Sequence, residues 1–362
     1  MRLGMLTGGG DCPGLNALIR AVVKRGILEF GYEFIGIENS YMGLYEPDMV
    51  VPLTLESTRG ILPKGGTILG TSNKANPFQY AVRENGRLVE KDVSARALQR
   101  FNELGLDGLI AVGGDGNLST AYRLSQLGMK VVGCPKTIDN DLTGTELTFG
   151  FDTARAICTD AVDRLHTTAE SHERVMVLEV MGRHAGFLAL ECGVAGGADV
   201  ILIPEIPYRI ESVVQKIKGR RGPKRSFSII VVSEGAHPEG GEVSVVSQAH
   251  ETPGRGVVRL GGAGKVLADL LASRVEAEIR VTVLGHLQRG GPPSAADRLL
   301  ATRYGFHVLD LVDQQRWGEM VSLRKGEIGS AHLSETTKTR RVDPQGELVR
   351  VAKSLGTSFG DA

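Results

Sequence analysis

The sequence predicts an α/β fold made of two Rossmann-like domains, each a three-layer α/β/α unit with a mostly parallel sheet. The 48 glycines fall mostly in short doublets beside apolar runs, as expected for tight turns from a strand to a helix. Runs rich in Val and Ile alternate with stretches in which apolar residues recur at helical spacing. A length of 362 residues, 41% of them hydrophobic, is enough for two domains with sizeable cores.

The first half of the chain contains two strand–turn–helix units. Residues 3–7 form an apolar run that ends in glycines, and apolar residues at helical spacing follow over 15–27. The same pattern returns at 108–112 and 118–127, and another strand-like run follows at 130–134. Such alternation is typical of a parallel sheet that helices cover on both faces.

The second half of the chain repeats this organisation. A long helical stretch over about 152–171 is followed by alternating strand-like and helical segments, at 175–180, 185–194, 200–203, 210–218 and 227–232. We expect them to form a second sheet that faces the first. Ligands of open α/β sheets lie outside the carboxyl ends of the strands, so the cleft between the two sheets is the expected site.

Two segments are expected to lie outside the compact domains. Residues 235–256 contain many polar residues, glycines and prolines, which predicts an exposed excursion. The tail after Gly356 is predicted to be mobile, as chain termini often are.

Charge and cysteine content argue against several classes of protein. Lys plus Arg equals Asp plus Glu at 42 each, so no overall field favours nucleic acid or an anionic membrane. The four cysteines lack metal-like or CxxC spacing, which fits a reduced compartment. No apolar stretch is long enough to span a bilayer. We therefore expect a soluble cytoplasmic protein that binds neither nucleic acid nor membrane.

Two glycine-rich turns have the composition of phosphate-binding loops. Gly8-Gly9-Gly10-Asp11 opens a helix, where glycines let backbone N–H groups approach phosphate oxygens, although an ordinary turn capped by Asp11 explains it equally well. Gly113-Gly114-Asp115-Gly116-Asn117 adds a carboxylate that can hold Mg²⁺. A helix cap is the alternative for Asp115, and the motif also resembles the donor loops of NAD kinases and diacylglycerol kinases.

The heptapeptide Pro135-Lys136-Thr137-Ile138-Asp139-Asn140-Asp141 has the densest polar chemistry in the chain. Thr137, Asp139 and Asp141 are predicted to alternate along an extended segment and so to share one face. An aspartate there can accept the proton of an attacking hydroxyl. Asx-type turns would explain one aspartate but not the whole set. The heptapeptide thus predicts phosphoryl transfer from a phosphate donor to an alcohol.

Taken together, the motifs resemble those of the phosphofructokinase family, from residue 3 to about residue 305. They occur in order as Gly9-Gly10-Asp11-Cys12-Pro13-Gly14-Leu15-Asn16, Gly113-Gly114-Asp115-Gly116, the heptapeptide, Met181-Gly182-Arg183, Ser233-Glu234-Gly235, and Leu284-Gly285-His286-Leu287-Gln288-Arg289-Gly290-Gly291.

This resemblance implies a Mg²⁺-requiring 6-phosphofructokinase, which phosphorylates the 1-hydroxyl of fructose 6-phosphate in glycolysis. It implies a donor-binding domain of residues 1–150 with about 288–338, and a sugar-phosphate domain of 151–287 with about 339–362. Asp139 would be the general base. The other implied catalytic residues are Asp141, Arg183, Thr137 and Lys136.

The resemblance also implies the binding residues. Asp115 would be the metal ligand. The donor would contact Gly9, Gly10, Tyr41, Lys74, Gly113, Gly114, Asp115, Gly116 and Asn117. The sugar phosphate would contact Thr137, Asp139, Arg174, Met181, Gly182, Arg183, Glu234, Arg280, His286 and Arg289. Arg174 and Arg280 would reach the 6-phosphate from a neighbouring subunit, which implies a homodimer or homotetramer with shared sites.

The identity of the donor depends on a few positions. In the family, glycine at position 116 goes with ATP, whereas lysine at position 136 goes with pyrophosphate. Thr120 is bulkier than glycine, so the resemblance implies a narrower adenine pocket, which argues against ATP. The combination resembles a mixed-substrate branch that is generally ATP-dependent, so we expect ATP, with pyrophosphate as the alternative. Lys74 lies near where the family has a bridging arginine, although a point charge does not reproduce a planar fork. A sensor of sugar phosphates or nucleotides without turnover is a further alternative, but it would have no need of a general base.

Overall fold

The computed structural model describes residues 1–84, 87–220, 227–247 and 259–361. The helices are α1 (Leu15–Phe30), α2 (Ser94–Glu103), α3 (Asp115–Gln126), α4 (Phe151–His172), α5 (Phe187–Ala195), α6 (Ile210–Gly219), α7 (Ala263–Ala272), α8 (Ala295–Asp313) and α9 (Glu347–Ser354). Short 3₁₀ helices span Ser40–Leu44, Gly285–Arg289 and Leu333–Thr337.

The strands follow the same chain order. They are β1 (Arg2–Thr7), β2 (Glu33–Ile37), β3 (Val50–Leu53), β4 (Tyr80–Glu84), β5 (Arg87–Lys91), β6 (Gly108–Gly113), β7 (Val131–Thr137), β8 (Phe149–Gly150), β9 (Val175–Val180), β10 (Val200–Leu202), β11 (Ser228–Ser233), β12 (Val245–Ser247), β13 (Arg259–Leu260), β14 (Ile279–Val283), β15 (Glu319–Arg324) and β16 (Glu327–His332).

The first sheet has the order β16-β15-β7-β6-β1-β2-β3, with β8 paired to β7. Its centre is parallel, and its two edge strands, β3 and β16, are antiparallel to their neighbours. Successive residues of β1 alternate between two cores: Met5 packs with α1 and α8, and Leu6 packs with α2 and α3. A strand covered on both faces has no solvent side, which explains its continuous apolar run.

The second sheet is parallel throughout, in the order β10-β11-β9-β14. In β9, Met176 and Leu178 face the core formed with α4 and α5, whereas Val175 and Val177 face the core formed with α6 and α7. Both sheets are thus the middle layer of an α/β/α sandwich, and the predicted fold class is confirmed. The domain boundaries given above stay a prediction.

The prediction of a mobile tail after Gly356 was wrong. Ser358 forms a parallel bridge with Val200, and Phe359 is completely buried. A single aromatic side chain with a place in the core is enough to anchor a short tail. Of the predicted excursion at 235–256, residues 248–256 lie outside the described part of the chain. None of the helices in the described part has the length and apolar character that crossing a membrane requires.

Candidate active site

The glycine turns and the heptapeptide meet at one edge of the first sheet. Gly8 follows β1, Asp115 follows β6, and Asp139 follows β7, and these three strands are neighbours. The Gly8 N–H donates to the Val112 carbonyl at 2.8 Å, which holds the first turn beside the second. Parallel strands therefore bring the first glycine turn to two motifs that lie more than a hundred residues further along the chain.

The first turn needs glycine at position 8, because the first turn of α3 lies against it. A Cβ on Gly8 would lie 2.6 Å from the Asn117 Cγ atom. Asn117 in turn donates to the Ser40 hydroxyl at 3.1 Å, and the buried Tyr41 hydroxyl donates to the Asn117 carbonyl at 2.9 Å. Tyr41 and Asn117 thus hold the two glycine turns together by contacts within the protein.

The N-terminus of α3 presents open space to the cleft. Asp115 and Gly116 are exposed, and a Cβ on Gly116 would meet no atom within 4 Å. Thr120 is buried, and its hydroxyl donates to the Gly116 carbonyl at 3.0 Å, so it turns toward its own helix. The first N–H groups of a helix attract anions, and here an anion has room to reach them.

Lys136 is buried at the end of β7. Its ammonium group donates to the Gly10 carbonyl, and burial lowers its pKa. The segment with Lys74 lies beside the same turn, because the Gly9 N–H donates to the Ser72 carbonyl at 3.3 Å, and Lys74 itself is exposed. Lys136 thus connects β7 to the first glycine turn.

The extended segment ends at Thr137, so the prediction that alternation continues through Asp141 was wrong. The Thr137 hydroxyl accepts from the Asp139 N–H at 3.1 Å, and Asn140 has a left-handed φ of 52°. The Asn140 side chain accepts from the Thr148 N–H at 3.1 Å, which fixes this turn. Side chain to backbone bonds of this kind compete with a strand.

Both carboxylates of this turn are nonetheless buried. Burial raises the pKa of Asp139, although the positive charges of Arg289, Arg183 and Lys136 act in the opposite direction. Burial and the negative charge of Asp139 raise the pKa of Asp141 to about 7. Among the described residues, the Asp139 Oδ1 atom has no hydrogen-bond partner. A buried carboxylate with a free oxygen and a raised pKa is suited to accept a proton near neutral pH.

The second sheet supplies the opposite wall of the cleft. In the loop after β9 the backbone of Arg183 is strained, with a φ of 47°. Position 182 requires glycine, because a Cβ there would lie 2.6 Å from the Ala185 carbonyl oxygen. The Arg183 N–H donates to the Glu234 carboxylate at 3.1 Å, and burial raises the pKa of Glu234 to about 7. Because the charge of Arg183 acts on the pKa of Asp139, the two walls face one cleft.

Gln288 connects the loop after β9 to the 3₁₀ helix Gly285–Arg289. It is fully buried, and its Oε1 atom accepts from the Met181 N–H and from the Cys158 thiol, both at 3.1 Å. Sequence reasoning did not assign it a role, although its place between His286 and Arg289 in a motif was a signal. His286 is exposed.

Arg289 reaches across the cleft to the first glycine turn. A Cβ on Gly10 would lie 2.7 Å from the Arg289 Cζ atom and closer still to Nη1. The Arg289 Nε atom is buried without a partner among the described residues. A guanidinium group in this position can contact ligands of both walls.

Arg174 and Arg280 do not join this cluster within one chain. Both form ion pairs with Glu278. Arg174 precedes β9, and Arg280 lies opposite Met176, whereas Met181 follows the other end of β9. At about 3.3 Å per residue of strand, the two arginines lie about 20 Å from Met181.

No cluster of three or more acidic, histidine or cysteine side chains suited to a metal ion occurs in the described ranges. Asp115 is the exposed carboxylate at the α3 N-terminus, and its charge contributes to the raised pKa of Asp141. Mg²⁺ is usually bound by one or two carboxylates together with substrate phosphates, so this arrangement fits Mg²⁺.

The chain matches a family model, "Phosphofructokinase", over residues 2–312. It is 52% identical to "ATP-dependent 6-phosphofructokinase 2" of Clostridium perfringens, over 99% of this chain and 98% of that protein. It is 49% identical to "Pyrophosphate--fructose 6-phosphate 1-phosphotransferase" of Streptomyces coelicolor, over 99% of this chain and all of that protein (100%). The solved phosphofructokinase of Saccharomyces cerevisiae superposes with a TM-score of 0.77 at 30% identity, over 93% of this chain and 45% of that one.

Proposed function

This chain belongs to the phosphofructokinase family, and we propose that it is an ATP-dependent 6-phosphofructokinase that converts fructose 6-phosphate to fructose 1,6-bisphosphate. The observation that carries the reaction type is Asp139. Its carboxylate is buried between the two walls, with an oxygen that no described residue engages. A protein that only binds sugar phosphates has no need of such a group.

In this proposal Asp139 accepts the proton of the 1-hydroxyl while the hydroxyl oxygen attacks the terminal phosphorus of ATP. The bond from that phosphorus to its bridging oxygen breaks, and ADP leaves with the electron pair. The positive charges of Arg289 and Arg183 oppose the rise in the pKa of Asp139 that burial causes, and so favour the ionised form that acts as a base. The wall formed by the second sheet binds the sugar phosphate in this proposal, and its remaining contacts are Met181, Gly182, Glu234 and His286.

Asp115 is the residue that would hold Mg²⁺, which neutralises charge on the donor phosphates when it is bound. Gly113 and Gly114 bring the backbone of the α3 N-terminus to the same position. Lys136 acts within the wall formed by the first sheet, which we call the donor wall, by fixing the Gly10 carbonyl. Thr137 keeps Asp139 in its turn, because its hydroxyl accepts from the Asp139 N–H. Asp141 is the supporting carboxylate of the proposal, and its pKa is raised by burial and by the negative charge of Asp139.

The open space beside Gly116 supports ATP as the donor. A nucleotide needs room for its α-phosphate there, and an aspartate at this position would fill it with a negative charge. The alternative donor is pyrophosphate, which the buried Lys136 and the similarity to the Streptomyces coelicolor enzyme favour.

A coupled assay with ATP and pyrophosphate in turn tests the donor. We expect turnover with ATP to be much faster, and Gly116→Asp to lower turnover with ATP by about 100-fold or more, because the new carboxylate repels the α-phosphate. Gly329→Asp is the matched control, since Gly329 also faces open space but lies on the edge strand β16. Equal or faster turnover with pyrophosphate would overturn the donor assignment. Binding of fructose 6-phosphate without turnover from either donor would support a sensor instead.

We also propose a homodimer or homotetramer in which Arg174 and Arg280 serve the site of a neighbouring subunit. Their distance of about 20 Å from Met181 within one chain supports this arrangement. Dilution to monomers, verified by sedimentation, should remove the affinity for fructose 6-phosphate. A fully active monomer would refute the proposal.

A further inference from the structure

Residues 339–342, which we call the C-terminal strap, cross from one wall of the cleft to the other. They lie beyond residue 312, where the family model ends. The strap is extended, and Thr339 forms an antiparallel bridge with Leu142. It therefore begins directly beside the turn that carries Asp139.

Arg340 fixes the strap to the first wall. Its backbone N–H donates to the Asp141 carbonyl at 2.6 Å. Its guanidinium group donates to the carbonyls of Thr145 at 3.1 Å and Glu146 at 2.7 Å. These bonds hold the strap against the loop that follows the two buried aspartates.

Val342 fixes the strap to the second wall. Its N–H donates to the Glu205 carboxylate at 2.8 Å, and the same carboxylate accepts from the Gly186 N–H at 3.0 Å. Gly186 lies three residues after Arg183, and the Arg340 guanidinium lies 4.5 Å from the ring centre of the next residue, Phe187. The strap is thus bound on both sides of Arg341.

Arg341 faces away from these anchors. The side chains of Arg340 and Val342 pack into the protein, whereas Arg341 is exposed, as alternation along an extended segment requires. Within the described ranges, Arg341 forms no ion pair or side-chain hydrogen bond. It is a free cation between the two walls.

The charge of Arg341 acts inside the cleft. Burial lowers the pKa of His184, and the positive charges of Arg183 and Arg341 lower it further. The negative charges of Asp115 and Asp139 act on the same imidazole in the opposite direction. Arg341 therefore shares an electrostatic environment with the carboxylates of both the donor and the acceptor sides.

We propose that Arg341 is a phosphate-binding residue of the active site, whose guanidinium contacts the terminal phosphate of the donor. The proposal rests on the proposed function. The donor wall needs such a group, because Lys136 is engaged by the Gly10 carbonyl and the exposed Lys74 is a point charge without the planar fork of arginine. The backbone of Arg341 is fixed through its neighbours, so only the side chain has to be ordered when it binds.

Steady-state kinetics of Arg341→Ala test this assignment. We expect kcat/KM for ATP to fall about 10- to 150-fold, the range for a hydrogen bond to a charged group, while the KM for fructose 6-phosphate stays within about threefold. Arg341→Lys should retain part of the activity, and free guanidinium ion should restore part of it to Arg341→Ala. The matched control is Arg350→Ala, an exposed arginine on α9, which should behave as the wild type.

Unchanged kinetics of Arg341→Ala with active wild-type enzyme would overturn this inference alone. A loss that guanidinium does not restore, accompanied by a lower melting temperature, would also overturn it, because the residue would then only hold the strap in place. If the wild type lacks turnover with ATP, the proposed function fails. Calorimetric titration of both proteins with ATP then decides the inference. An affinity for ATP at least tenfold weaker in Arg341→Ala would support it, and an unchanged affinity would overturn it.

Discussion

Replacing Gly10 with alanine should displace Arg289 while leaving the fold intact. The new Cβ would lie 2.7 Å from the Arg289 Cζ atom, so the guanidinium group has to move. Gly10 has no left-handed φ, in contrast to Gly9 at 79°, so alanine fits its backbone. The displaced group is the end of a flexible side chain, and we expect the free energy of unfolding to change by less than about 1 kcal/mol.

The expected effect on the substrate is much larger. If Arg289 binds the sugar phosphate, Gly10→Ala removes a hydrogen bond to a charged group, which contributes about 1.5–3 kcal/mol. The KM for fructose 6-phosphate should therefore rise about 10- to 150-fold at saturating donor. Gly329→Ala is the matched control, because its Cβ would enter open space on the edge strand β16.

A double-mutant cycle decides whether Arg289 mediates the effect. Gly10→Ala and Arg289→Ala should each weaken the binding of fructose 6-phosphate. The double variant should bind it no more weakly than Arg289→Ala alone. Additive losses would refute the reasoning, because alanine would then act by another route. A large drop in melting temperature for Gly10→Ala would also contradict it.

Two further expectations concern the buried carboxylates. Asp139→Ser should lower turnover by roughly 100-fold or more while fructose 6-phosphate still binds in calorimetry, and near-normal turnover would remove Asp139 from its role as base. For Asp141, the pKa of about 7 in the folded protein lies above the usual 3.8, so the unliganded folded state binds an extra proton between these values. Its stability should therefore fall as pH rises from about 4 to about 7, and Asp141→Asn should reduce this dependence in urea unfolding measured across the range. The same pH dependence in both proteins would count against the assignment.

Much of the fold could be predicted because parallel strands covered on both faces appear in the sequence as continuous apolar runs. The run 108–112 and the helix that follows it correspond to β6 and α3, since every residue of β6 is buried. The antiparallel edge strands have a weaker hydrophobic pattern in the sequence. β16 is mostly exposed or half-buried, and β15 pairs with β7 only after the chain returns from the second sheet. Pairing over such distances has no local pattern.

The site was predictable to the same degree. Motifs predicted which residues carry chemistry, such as Asp139 and Arg183, whose roles stay a prediction. They did not show that Lys136 turns to the Gly10 carbonyl, or that a turn at Asn140 ends the strand, because tertiary contacts determine both. Arg341 was not assigned at all, since it depends on anchors to Asp141 and Glu205 that lie far away in the chain.

The position of β15, β16 and Ser358 also affects how the protein is made. The first sheet acquires its last two strands from residues 319–332, and the second acquires a bridge from Ser358. Neither sheet can therefore be completed on the ribosome before nearly all of the described chain has emerged, although domains generally fold as units from the N-terminus. Until then the open side of β7 offers unpaired backbone groups to other nascent chains. Synthesis of this protein should accordingly depend more on chaperones that hold unfinished sheets than its thermodynamic stability alone would suggest.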